Sequence, residues 1–325
     1  MAMGDRPASM LGRVSIVLRL RSLLVVVALV LVGACGSGND AARPVARSTT
    51  TSVPTRATGD GTFTMTTEQF VDPSRPTGAT PGRTIPTDVY VPGGRGPFPV
   101  IVHSHGMGGT SRKFTQLLGA WATAGYIVVA PNFPLTNGDI PKAQQVLGDY
   151  VNQPGDARFA LDSVLAEGEP GGRLEGRIAT DRIGASGLSL GGATTYLGLF
   201  NSCCLDDRYR SAVLMSAFDL SPPGGVWNWS RSIPLLVFTG TLDTSISPDR
   251  QSATITKLPG PKWIVTLQGG LHSPPYEDVP DPHDALVVAT TLDFWNATLG
   301  GDTTARGRIA SDATVAGLAN VTVPG

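Results

Sequence analysis

Residues 184–200 read GASGLSLGGATTYLGLF, with Gly184, Gly187, Gly191 and Gly192 crowded around Ser189. Glycine is a poor residue inside regular structure, so four of them in nine positions need a reason. The preceding residues, RIGAS, form a short apolar run typical of a strand, and ATTYLGLF behind the serine reads as a helix. Gly187-Leu188-Ser189-Leu190-Gly191 is G-x-S-x-G, the sharp strand-to-helix turn that thrusts a serine hydroxyl into the open. In such a turn neighbouring backbones touch, which explains glycine at 187 and 191. The pattern alone is common; its position between a strand and a helix gives it meaning.

The rest of the folded part follows the same grammar. TFTMTTEQFV (62–71) and TIPTDVYVP (84–92) read as an opening antiparallel pair, followed by strands at 98–105, 126–132, 182–187, 211–217, 234–241 and 262–270. Several are continuous Val/Ile/Leu runs, as in strands covered on both faces. Helical patterns lie near 112–124, 139–152, 154–167, 189–200, 246–257 and 283–298. This alternation predicts an α/β fold, a mostly parallel sheet of about eight strands with helices on both faces. Only about 16 residues separate the strand ending near Ala217 from the one starting near Pro234, which leaves room for a minimal lid. Residues 62–298 form the expected catalytic domain, and 299–325 lose periodicity and read as an irregular tail.

A serine hydroxyl becomes a nucleophile only with a base in reach. Of the four histidines, His272 lies in GGLHSPPY directly after the last strand, at the same sheet edge as Ser189. His283 reads as a capping or solvated residue, and His105 as a structural one. Asp243 in TGTLDTSISP follows the strand PLLVFTG and is the expected anion for the imidazole, with Asp219 as the rival. An oxyanion formed on Ser189 needs N–H donors; Leu190, next to the nucleophile, and Met107, in HSHGMGG after the strand FPVIV, are the expected pair. Phe133, Trp227 and Trp229 are candidate pocket residues, with loop packing an equal alternative for the tryptophans. No metal site is expected.

The N-terminus is different material. Arg13, Arg19 and Arg21 precede SLLVVVALVLVGAC, an apolar run too short for the roughly 20 residues of a membrane span, so residues 1–34 read as a signal peptide. Val32-Gly33-Ala34-Cys35 resembles the lipobox of bacterial lipoproteins, which implies lipid on Cys35; an ordinary cleaved signal is the alternative. Residues 35–61 are poor in aliphatic side chains and read as a flexible tether with a reach of roughly 25–30 Å. The expected location is the outer face of a bacterial cell membrane, held there by the lipid. Cys203 and Cys204 are adjacent, and both a bridge between them and two buried thiols remain open. A formal charge of -1 gives no reason to expect nucleic acid as a partner.

VIVHSHGMGG, RIGASGLSLGG, LLVFTGTLDT and GGLHS, in this order over residues 84–298, resemble the α/β-hydrolase superfamily, whose triad runs in the order Ser, acid, His. The nearest branch is that of dienelactone-hydrolase-like proteins, platelet-activating-factor acetylhydrolases and cutinase-like polyester hydrolases. The resemblance implies a cofactor-free carboxylic ester hydrolase working through an acyl-enzyme on short or medium acyl esters or lipid-like substrates. Serine as nucleophile departs from dienelactone hydrolases proper, which use cysteine. Adjacent cysteines depart from the widely spaced disulfides of the polyester enzymes. A thioesterase or peptidase on the same machinery, and a non-catalytic surface-binding lipoprotein, are the competing readings.

Overall fold

The computed structural model describes residues 59–221 and 224–324. The signal peptide, Cys35 and all but the last three residues of the tether lie outside the described residues. Nine strands form one sheet: β1 (Phe63–Asp72), β2 (Arg83–Pro92), β3 (Phe98–Ser104), β4 (Ile127–Pro131), β5 (Ile178–Leu188), β6 (Tyr209–Met215), β7 (Leu235–Gly240), β8 (Lys262–Leu267) and β9 (Ala319–Thr322). Their spatial order is β1-β2-β4-β3-β5-β6-β7-β8-β9. The six from β4 to β8 are parallel, while β1, β2 and β9 run antiparallel to their neighbours. The chain is an α/β protein of the α/β-hydrolase type.

Alternation along the parallel strands produces two cores. Val100 and Val102 of β3 and Leu235 and Val237 of β7 enter one, while Ile101, Leu236 and Phe238 enter the other. Each such side chain, fully withdrawn from water, contributes roughly 1.5–3 kcal/mol before entropy is counted. The first core is covered by α2 (Gln153–Ala166), through Ala157, Ala160, Leu161 and Val164 at helical spacing, and by α3 (Leu190–Phe200). The second is covered by α1 (Thr115–Thr123) and α5 (Asp284–Thr298), where Trp121 and Trp295 meet edge to face with centroids 5.7 Å apart. Strand order reverses at β3, which lies between β4 and β5. Loops leaving β3 and β5 therefore diverge to opposite faces and open a crevice at the carboxyl edge, where α/β sheets place their ligands.

Two expectations are corrected. The segment 299–325 is not an irregular tail: it folds into α6 (Ala305–Asp312) and β9, the ninth strand, which pairs with β8. Ile309 and Ala313, four apart and buried, fasten this segment to the second core. The helix expected at 139–152 is instead two 3-10 turns, Lys142–Gln144 and Leu147–Val151. Asp149 in the second turn is drawn into a buried ion pair with Arg83 of β2, at 2.6 Å, a tertiary demand that overrides local helix preference. The helix expected at 246–257 is α4 (Pro248–Ile255), because Ser247 accepts the Arg250 N–H as its cap. Among the described residues, the segment between β6 and β7 forms no helix, and no helix is long and apolar enough to cross a membrane.

Candidate active site

Ser189 sits between the last residue of β5 and the first of α3 with φ 56° and ψ -117°. A non-glycine residue in that region costs about 1–3 kcal/mol, which the surroundings must impose. They do so by contact: a Cβ on Gly187 would lie 2.2 Å from the Gly191 carbonyl oxygen, and one on Gly191 would lie 2.0 Å from that of Ser104. The Ser189 N–H is held by the Met215 carbonyl at 2.9 Å. The hydroxyl is thus aimed by the backbone rather than by its own rotamer.

The loops after β7 and β8 continue to pair beyond the strands, with the Thr241 N–H on the Leu267 carbonyl and the Leu242 N–H on the Gly270 carbonyl, each at 3.0 Å. This brings Asp243 and His272 together. Nδ1 of His272 lies 2.8 Å from Asp243 Oδ2, and Nε2 lies 2.8 Å from Ser189 Oγ. A carboxylate accepts only, so Nδ1 carries the proton and Nε2 is left to accept from the serine hydroxyl. Asp243 is 3% exposed. Burial pushes its pKa up, but the bond from His272 and the backbone N–H groups of Ile246 and Ser245 outweigh that and lower it below the ordinary value. Gln251 of α4 completes the carboxylate's shell from Nε2 at 2.9 Å. Sequence reasoning missed Gln251, since an amide carries no motif; its only signal was a place in the first turn of the helix after Asp243.

The loop after β3 lies against Ser189: a Cβ on Gly106 would stand 3.4 Å from that of Ser189. The loop is folded back by Gly109 N–H to the Gly106 carbonyl (3.0 Å) and fastened to the 133–138 segment by Gly108 N–H to the Thr136 carbonyl (2.7 Å). Among the described residues, the N–H groups of Met107 and of Leu190, the first residue of α3, donate to no protein acceptor. The α3 N-terminus adds its dipole to that side of Ser189.

The other histidines divide by environment. His105 is buried; its Nδ1 donates to the Gly106 carbonyl at 2.7 Å and its Nε2 accepts the Phe133 N–H at 3.0 Å, the expected structural role. Burial lowers its pKa to about 4. His103 bonds Ser186 Oγ at 2.7 Å, and burial lowers its pKa to about 3. His283 is not solvated: it is buried, with Nδ1 2.6 Å from Asp281 and Nε2 3.1 Å from the Gln268 carbonyl, tying together the ends of the loop that carries His272. Asp219 is occupied elsewhere, paired with Lys257 at 2.7 Å and Arg250 at 3.1 Å.

The candidate pocket residues are found in packing contacts. Phe133 is a fully buried core residue whose ring packs on His105. Trp227 and Trp229 stack on each other at 4.6 Å, and Trp229 packs on Tyr196 and Phe200 of α3, so both belong to the flank of the first core. Exposed apolar side chains stand next to Asp243 and His272 in sequence, Leu242 and Leu271, and in the loop after β3, Met107. Cys203 and Cys204 are joined by a disulfide. Among the described residues, no group of three or more His, Cys, Asp or Glu side chains is placed to hold a metal ion.

A family model for chlorophyllase matches residues 55–151, a segment that contains the Met107 loop and ends before Ser189. No curated protein matches the chain. The chlorophyllase match supports an ester hydrolase of the α/β-hydrolase type.

Proposed function

We propose that this chain is a serine esterase in which Ser189 is the nucleophile, His272 the general base and Asp243 its anionic partner. The observation that carries the reading is the unbroken chain of two 2.8 Å contacts from Asp243 through His272 to the Ser189 hydroxyl. His272 Nε2 takes the hydroxyl proton as Oγ attacks the ester carbonyl, and the oxyanion is met by the N–H groups of Met107 and Leu190. The imidazolium then gives its proton to the departing alcohol, leaving an acyl group on Ser189. Water attacks that acyl-enzyme with His272 again as base, releasing the acid and restoring the hydroxyl. Asp243, held below its ordinary pKa, stays anionic throughout.

The substrate class we propose is short or medium acyl esters or lipid-like esters. In support, Ser189 is partly exposed, no helix among the described residues spans β6 to β7, and Met107, Leu242 and Leu271 are exposed apolar side chains in the loops after β3, β7 and β8. We further propose that the chain is exported and anchored through lipid on Cys35, a reading carried by the N-terminal sequence. The decisive experiment is a p-nitrophenyl ester series with fluorophosphonate labelling on protein starting near residue 60. Hydrolysis that favours short chains, with label on Ser189 and neither in Ser189→Ala, is the expected result. Folded wild-type protein that takes no label would defeat the esterase reading, and a long-chain optimum would defeat the substrate class.

A further inference from the structure

We infer that Gln251 is a positioning residue for the triad, fixing which oxygen of Asp243 faces His272 and how much negative charge that oxygen presents. The inference rests on the esterase reading above. Gln251 lies in the first turn of α4, 1% exposed, and its Nε2 donates to Asp243 Oδ2 at 2.9 Å and to the Ile246 carbonyl at 2.7 Å. Both amide hydrogens are therefore used. Reversing the amide would set its oxygen against two acceptors, so the network itself selects this orientation.

The amide oxygen, Oε1, is buried and has no hydrogen-bond partner among the described residues. A buried acceptor left unmatched is a cost that proteins avoid, and its presence at a site calls for a reason. The reason lies in the carboxylate. Oδ1 of Asp243 takes the N–H groups of Ser245 and Ile246, both at 2.9 Å, while Oδ2 takes only Gln251 and His272. Without the amide, Oδ2 would be held by the imidazole alone, and the carboxylate torsion is a soft one. With it, Oδ2 stays aimed at Nδ1 throughout the transfer of the serine proton. The same donor draws charge from Oδ2 and so restrains the imidazole's hold on a second proton.

Other charged groups nearby are untouched by a change at 251. Around α4 these are Asp249 and the Asp219 pairs with Arg250 and Lys257. In the His272 loop they are Glu277, Asp278 and Asp281, beside the ring of His283 and with Tyr276 kept neutral by burial. On the nucleophile side His103 and His105 are buried, and burial keeps them neutral.

The test follows His272 by NMR of ring-labelled histidine through a pH titration, alongside the pH profile of ester hydrolysis, in wild type, Gln251→Met and Gln251→Glu. Loss of the donor in Gln251→Met is expected to move the His272 titration and the acid limb of kcat/KM to higher pH by about one unit. It should also lower kcat about tenfold with KM little changed. In Gln251→Glu the new carboxyl, buried against the Asp243 carboxylate, should keep a proton and donate it to Oδ2, returning the titration toward wild type. A His272 titration that stays in place in folded Gln251→Met, with only Tm lowered, would mean a packing role and overturn the inference. Should Gln251→Met not fold, Gln251→Leu, which also lacks the donor, decides by the same titration. The NMR readout needs no turnover, so a wild type inert toward esters defeats the esterase reading while the titration still judges Gln251.

Discussion

Nε2 of His272 lies 2.8 Å from the hydroxyl of Ser189, across 83 positions of sequence, and Nδ1 of the same ring is committed to Asp243. Asp243→Asn would present an amide donor to Nδ1 and turn the ring's proton to Nε2, the wrong atom for taking one from serine. We expect kcat to fall by about 10³–10⁴ with the fold unchanged by circular dichroism. Activity within tenfold of wild type would remove Asp243 from the mechanism.

Two glycines of α3 should respond with opposite sign. Gly191→Ala drives a methyl to 2.0 Å from the Ser104 carbonyl, and backbone cannot yield cheaply, so a loss of about 4 kcal/mol or failure to fold is expected. Gly198→Ala meets only the Tyr209 ring at 3.5 Å, an ordinary contact, and should gain up to about 1 kcal/mol from helix propensity. Urea melts of the two variants give the comparison. A Gly191→Ala protein as stable as wild type would contradict the close approach at the turn.

His103 and His105 set a pH dependence of stability. Both are buried, with pKa values lowered to about 3 and about 4 against about 6.5 in an unfolded chain. The unfolded state therefore binds more protons between those limits. Their contribution to stability is complete above pH 6.5 and lost as pH falls toward the folded values, at up to about 1.4 kcal/mol per pH unit for each ring. Tm should decline steadily from pH 7 to pH 5. His103→Gln should lower Tm at pH 7 yet flatten that decline, whereas an unaltered slope would remove His103 as its source.

Trp229→Leu distinguishes packing from substrate contact. Its ring lies against Phe200 at 5.2 Å and Tyr196 at 6.3 Å, so truncation should cost about 1–3 kcal/mol of stability. The kcat/KM values across an ester series should stay within twofold of wild type. A KM that rises selectively for bulky esters would return this residue to the pocket.

Ser189, Asp243 and His272 were legible because each follows a strand, and parallel strands deliver their trailing loops to one edge. Only four histidines existed to choose from. Residues whose role depends on contact between distant segments were not legible. Trp227 and Trp229 follow a strand just as Asp243 does, yet they turn onto α3. Asp149 lies in a helical pattern but answers to Arg83, 66 positions away. Strand β9 is four residues long, too short for alternation to register, and α6 shows only a narrow stripe of small side chains. Gln251 needed the amide's partners to be seen.

Asp278 takes the backbone N–H groups of Thr115 and Gln116 at 2.8 and 2.9 Å, serving as the cap that α1 lacks from its own sequence. It belongs to the same stretch as His272, so that imidazole and the start of the helix share an anchor. Local opening that frees the imidazole must also fray α1. Amide protons of Gln116, Tyr276, Glu277 and Asp278 should therefore exchange with solvent as one cooperative unit, slower than the exposed loops around them.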